Sequence, residues 1–116
     1  VFSMKPDLNT ALESLEKDLP AVMEAFRGLQ VAATGDGVLD AKTKKLMMVA
    51  VTAALRCEPC LREQVRGALQ LGASREEIME AAGVAILIGG GPTAAYCAMY
   101  LMDELDNANT GGQHEV

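Results

Sequence analysis

Asp40-Ala41-Lys42-Thr43-Lys44-Lys45-Leu46-Met47-Met48-Val49-Ala50-Val51-Thr52-Ala53-Ala54-Leu55 runs without interruption into Arg56-Cys57-Glu58-Pro59-Cys60. Asp40 has the short acceptor side chain that caps a free helix-start amide. The residues after it predict a helix over roughly 41–56, and its far half is almost wholly apolar, so it should be buried nearly all round. Proline disfavours the α conformation in the residue before it and fits the first helical turn. Glu58 is therefore expected outside a following helix and Pro59 inside it. That places Cys57 just before the helix and Cys60 within its first turn.

Toward the N-terminus, Leu8, Leu12, Leu15 and Leu19 recur at helical spacing. Pro20 can open a second helix carrying Val22, Met23, Phe26 and Leu29, and Gly35-Asp36-Gly37 breaks the pattern. Toward the C-terminus, Gly72 stops the Cys60 helix near Leu71. Ser74-Arg75-Glu76-Glu77 reads as a capping box, in which serine and glutamate side chains satisfy each other's backbone amides. The fifth helix carries Ile78, Ala82, Ala85 and Ile86, and should stop at Gly89-Gly90-Gly91. Pro92 opens a sixth with Tyr96, Met99, Tyr100 and Leu105. Residues 107–116 are polar, include Gly111-Gly112, and are expected to form a mobile tail. No stretch alternates with a strand period. The expectation is an all-α, single-domain helical bundle of about six helices over 1–116, with its core at about 38–105.

The 116 residues allow one modest core, and aromatic residues are only 3%, so Ala, Leu, Val, Ile and Met must fill it. Ten basic against sixteen acidic residues give a net charge of −6, which speaks against nucleic-acid binding. Leu46–Leu55 and Gly83–Gly91 are well short of the ~20 apolar residues that span a bilayer, so no membrane partner is expected. The first residues lack the apolar run of a signal peptide, giving an expectation of cytoplasmic location. Apolar residues around Leu46–Leu55 and Val84–Ile88 exceed what one small chain can cover, so a homo-oligomer is expected.

The chemistry-bearing feature is the Cys57–Cys60 spacing. Two cysteines three apart at a helix start can form a disulfide with little backbone change. Free amides and the helix dipole there favour thiolate over thiol. Arg56 and Arg62 would act in the same direction, and Glu58 and Glu63 against it. Three readings stand: a redox pair, two cysteines that merely pack, or half of a zinc site. Zinc needs four ligands, and only Cys97 and His114 remain to supplement the pair. In a reducing compartment this spacing and position favour the redox reading. Cys97 reads as a small core residue, the methionines as packing filler, and His114 as a solvated tail residue. Gly89-Gly90-Gly91-Pro92 lacks the Lys-Ser/Thr ending of a phosphate loop and reads as a tight turn. No cofactor is expected.

Leu39-Asp40-Ala41-Lys42-Thr43-Lys44-Lys45-Leu46, Cys57-Glu58-Pro59-Cys60 and Gly72-Ala73-Ser74-Arg75-Glu76-Glu77-Ile78, in this order, resemble the carboxymuconolactone decarboxylase family. The closer resemblance is to its alkylhydroperoxidase D-like branch, which keeps the CxxC pair. The later Gly89-Gly90-Gly91-Pro92 also fits. The resemblance covers about 38–105. It implies an all-helical chain assembling as a homo-trimer or homo-hexamer and acting as a peroxiredoxin-type peroxidase or disulfide reductase. Cys60 would attack the peroxide, and Cys57 would resolve the product into a disulfide. The substrate would be a small peroxide or disulfide, and the thiol reductant is not indicated.

The resemblance departs at two positions. The branch carries a glutamate twelve residues before the first cysteine and a histidine four after the second, where this chain has Lys45 and Gln64. An amide cannot take a thiol proton near neutral pH. The expected function is thus thiol-dependent antioxidant redox chemistry without the usual carboxylate–imidazole relay. Alternatives are a redox-inactive helical oligomeric binding protein and a lactone decarboxylase.

Overall fold

A computed structural model describes residues 7–114, side chains to 108, and every element among them is helical. The elements are α1 (Leu8–Asp18), α2 (Pro20–Thr34), α3 (Ala41–Leu55), α4 (Glu58–Gln70), α5 (Arg75–Tyr96), a π turn (Cys97–Leu101) and α6 (Met102–His114). The local signals explain these bounds. The Asp40 carboxylate accepts from the Thr43 N–H at 2.8 Å. Ser74 and Glu77 form a reciprocal capping box, at 3.0 Å and 2.9 Å. Gly72, at φ 91°, turns the chain out of α4 in a conformation open to glycine.

The chain divides into two compact units at Gly35. The first holds α1 and α2, tied by the Arg27–Glu16 ion pair at 2.7 Å, and neither helix has a buried residue. The second begins at Asp36 and contains the core. In it α3 packs against α4 and α5, and the π turn and α6 pack against α4. Val49, Leu61, Val65, Ile78 and Leu101 are fully buried there. Truncating Leu61 to alanine would cost about 2–5 kcal/mol through lost transfer energy and the cavity left behind.

Two local features differ from expectation, and a third, the break at the glycines, is as expected. Gly90 leaves helical geometry (φ 72°, ψ −155°), so the run Arg75–Tyr96 is two helices meeting at a kink, the second opening near Pro92. Thr93, almost fully buried, packs so closely over Gly89 that any Cβ there would collide with it. Glu58 is the first residue of α4, and Cys57 (φ −105°, ψ 103°) is the extended residue before it. An ion pair from Glu58 to Arg62 at 3.1 Å, one turn on, helps offset the conformational cost before Pro59. The polar segment from 107, expected to be a mobile tail, is helical through His114. The His114 side chain and the residues before Asp7, read for a signal peptide, lie outside the described residues.

The helical run Arg75–Ala108 is long and apolar enough to cross a membrane by length and composition. It is nevertheless interrupted at Gly90, and its Ile78, Ala82, Ala85, Cys97 and Leu101 belong to the core. Leu105 is buried there too, and Ile86, Tyr96 and Tyr100 pack against the core, whereas Leu87 and Ile88 are open, at 79% and 78% exposure.

Candidate functional site

The hinge between α3 and α4 positions the cysteines. Arg56 takes a left-handed conformation (φ 58°, ψ 52°), its N–H donates to the Ala53 carbonyl at 3.1 Å, and the Cys57 N–H donates to Thr52 at 3.2 Å. These two bonds close the end of α3 and leave Cys57 at the start of α4. A left-handed non-glycine residue costs about 1–2 kcal/mol, which this doubly bonded cap offsets. Pro59 occupies the first turn of α4, followed by Cys60.

Cys57 and Cys60 are joined by a disulfide with their Cα atoms 5.3 Å apart. Both are half-buried. The pair stands at the start of α4, where amides without intrahelical partners favour a thiolate once the disulfide is reduced. Cys97, the third cysteine, is buried in the π turn, and burial pushes its thiol pKa up. It stays protonated in the core. Among the described residues, no group of three or more His, Cys, Asp or Glu is arranged to hold a metal ion.

Lys45 and Gln64 come together. The Lys45 ammonium donates to Gln64 Oε1 at 3.0 Å, linking α3 to α4 one turn beyond Cys60. Gly67 makes room for this bond. A Cβ there would lie 3.0 Å from Lys45 Cε and 3.3 Å from its Nζ. Sequence reasoning missed Gly67, although a glycine inside a helix, one turn past Gln64, is a signal of close approach.

Of the other charges expected to act on the thiols, Arg62, Glu58 and Glu63 pair with one another or with further residues, and Arg56 is exposed at the end of α3. Arg62 donates to Glu58 at 3.1 Å, Asp103 at 2.9 Å and Glu104 at 3.0 Å. Burial works against its charge, but the bonds to Glu104, Asp103 and Glu58 outweigh that, raising its pKa. Glu63 pairs with Arg66 at 3.0 Å, and Arg66 also reaches Glu104 at 3.1 Å. Arg62 further lies 5.8 Å from the centre of the Tyr100 ring, which packs 4.6 Å from Tyr96. Burial, then the negative charge of Glu58, raises the Tyr96 pKa, so the phenol keeps its proton. This network ties α4 to the π turn and α6. Because the pairing partners lie about forty residues apart in sequence, spacing along the chain does not reveal it.

Together these features define an all-helical domain with a CxxC disulfide at the start of a helix. The chain belongs to the carboxymuconolactone decarboxylase family, whose profile matches residues 20–102. This agrees with the resemblance to that family and its CxxC-bearing branch. A carboxymuconolactone decarboxylase family protein of Legionella pneumophila superposes with a TM-score of 0.81 at 38% identity, covering 86% of this chain and 89% of that one. A Thermotoga maritima family protein, for which a part in the antioxidative response has been suggested, superposes with a TM-score of 0.72 at 32% identity, covering 79% and 94%. An uncharacterized protein of Cupriavidus necator is 36% identical over 105 residues, which is 84% of this chain and 93% of that protein.

Proposed function

We propose that this protein is a thiol-dependent antioxidant oxidoreductase, reducing a small peroxide or disulfide through Cys60 and Cys57. The observation that carries this reading is the Cys57–Cys60 disulfide at the start of α4. The relation to the Thermotoga maritima protein supports it.

In the reduced state the Cys60 thiolate attacks one peroxide oxygen, the O–O bond breaks, and the departing alkoxide takes up a proton. Cys60 is left as a sulfenic acid. The Cys57 thiolate then attacks that sulfur, an S–S bond forms, and hydroxide leaves to become water. An external dithiol returns two electrons by thiol–disulfide exchange and leaves as a disulfide. With a disulfide substrate, the same two attacks release two thiols. The reducing cytoplasm would sustain this cycle. Exposed Val84, Leu87 and Ile88 on α5 and Val51 and Leu55 on α3 favour self-assembly, for which the family resemblance implies a homo-trimer or homo-hexamer.

The roles of the cysteines are separable. In Cys57→Ser, peroxide should leave a sulfenic acid on Cys60 that a dimedone-type reagent traps. Trapping only in Cys60→Ser, on Cys57, reverses the assignment.

A further inference from the structure

We infer that Lys45 is a positioning residue that fixes the polarity of the Gln64 amide, so that its N–H donors serve a thiolate at Cys60. This rests on the redox reading of the pair and specifies how thiolate is favoured there without the relay histidine.

A primary amide has one acceptor end and one donor end, and its partner decides which way each faces. An ammonium group has donors only, so it can bind Gln64 only through the carbonyl oxygen. The 3.0 Å bond from Lys45 to Oε1 therefore locks the amide with Nε2 directed away from Lys45. Gln64 is four residues after Cys60, so the two side chains neighbour each other on one face of α4. From that position Nε2 can donate to a Cys60 thiolate and offers the thiol no base. Gly67 belongs to the same device, because the Lys45 chain crosses the space that a larger residue would fill. Of the other nearby cations, Arg62 is held by Glu58, Asp103 and Glu104, and Arg56 stands exposed before Cys57 at the end of α3. Reversing the sign at position 45 would do the opposite. A carboxylate accepts from Nε2 and turns the carbonyl toward the sulfur, disfavouring the anion.

The test reads the Cys60 thiol directly, without turnover. In Cys57→Ser, thiolate absorbance near 240 nm is followed against pH, and the rate of iodoacetamide alkylation gives a second measure. The expected pKa lies at least about one unit below the ordinary ~8.5, a tenfold gain in the thiolate-to-thiol ratio. Lys45→Met and Gln64→Met, each added to that background, should raise it by about one unit. Because Lys45 acts through Gln64, combining them should raise it little further. Lys45→Glu should raise it more than Lys45→Met. Circular dichroism confirms folding of each variant, and Lys45→Arg, which keeps a donor-only cation, should retain most of the depression.

An unshifted parent pKa, or fully additive effects of the two methionine substitutions, would overturn the inference. Peroxide turnover with a Cys60 pKa indifferent to Lys45 and Gln64 would leave the redox reading standing and remove this one. A depressed, Lys45-dependent pKa without any turnover of peroxide or disulfide would do the reverse.

Discussion

Lys45 on α3 and Gln64 on α4 meet at 3.0 Å, at the two positions where the family resemblance implies the glutamate and histidine of a proton relay. The spacing for that relay is present, whereas its chemistry is not. Gln64→His combined with Lys45→Glu should therefore install one. The imidazole would take the Cys60 proton and return it to the departing alkoxide, with the carboxylate orienting the ring. General acid–base assistance is typically worth ~10²–10⁴-fold. We expect peroxide consumption at neutral pH to rise at least ~10-fold, a modest fraction of that range. Equal rates in a folded double variant would show that the site does not use a base at this position.

The ion-pair network should matter to stability more than its surface neighbours do. Glu104 is 6% exposed and accepts from both Arg62 and Arg66. Glu104→Ala removes the buried acceptor that the two guanidinium groups share, leaving Arg62 with Glu58 and Asp103 and Arg66 with Glu63. Removing one partner of a fully buried pair costs about 3–5 kcal/mol, and the partial exposure of both arginines lowers the expectation to about 2–3 kcal/mol. Urea unfolding should show a reduced midpoint with an unchanged slope. A loss below about 0.5 kcal/mol would place these charges in the ordinary surface class.

Legibility followed the range of the interaction. The Asp40 cap, the Ser74–Glu77 capping box and the place of Cys60 in the first turn are written within a few residues, and the sequence predicts each. The meeting of Lys45 with Gln64 was also accessible, since the hinge at Cys57 folds α4 back along α3. The Arg62–Glu104–Arg66 network was not, because no periodicity couples residues about forty positions apart. Three consecutive glycines announce a break, and Gly90 makes it, with Thr93 packed against Gly89. The extended residue proved to be Cys57, with Glu58 opening α4 and paired to Arg62 one turn on.

Acid should destabilise the fold through its helix starts. Hydrogen bonds from Ser74, then from Lys42, hold the Glu77 carboxyl below its ordinary 4.5. Those from Thr43 hold Asp40 below its ordinary 3.8. A carboxyl with a depressed folded-state pKa binds more protons when unfolded, so its contribution is complete above the unfolded value and is lost as pH falls through the folded one. The melting temperature should be level with respect to these groups above about pH 5 and decline below about pH 4. Glu77→Gln and Asp40→Asn should each flatten that decline. An acid limb identical to the parent's in both variants would contradict the assignment.

The redox pair itself is tested most directly by counting thiols. The chain has three cysteines, Cys57, Cys60 and Cys97. After full reduction and removal of the reductant, each chain should present three thiols to a thiol reagent under denaturing conditions. After a stoichiometric pulse of hydroperoxide on the folded protein, the same assay should find one, assigned to buried Cys97, with Cys57 and Cys60 linked in the peptide map. Three thiols remaining after the pulse, under conditions where free glutathione is oxidised, would contradict a peroxide-reducing pair.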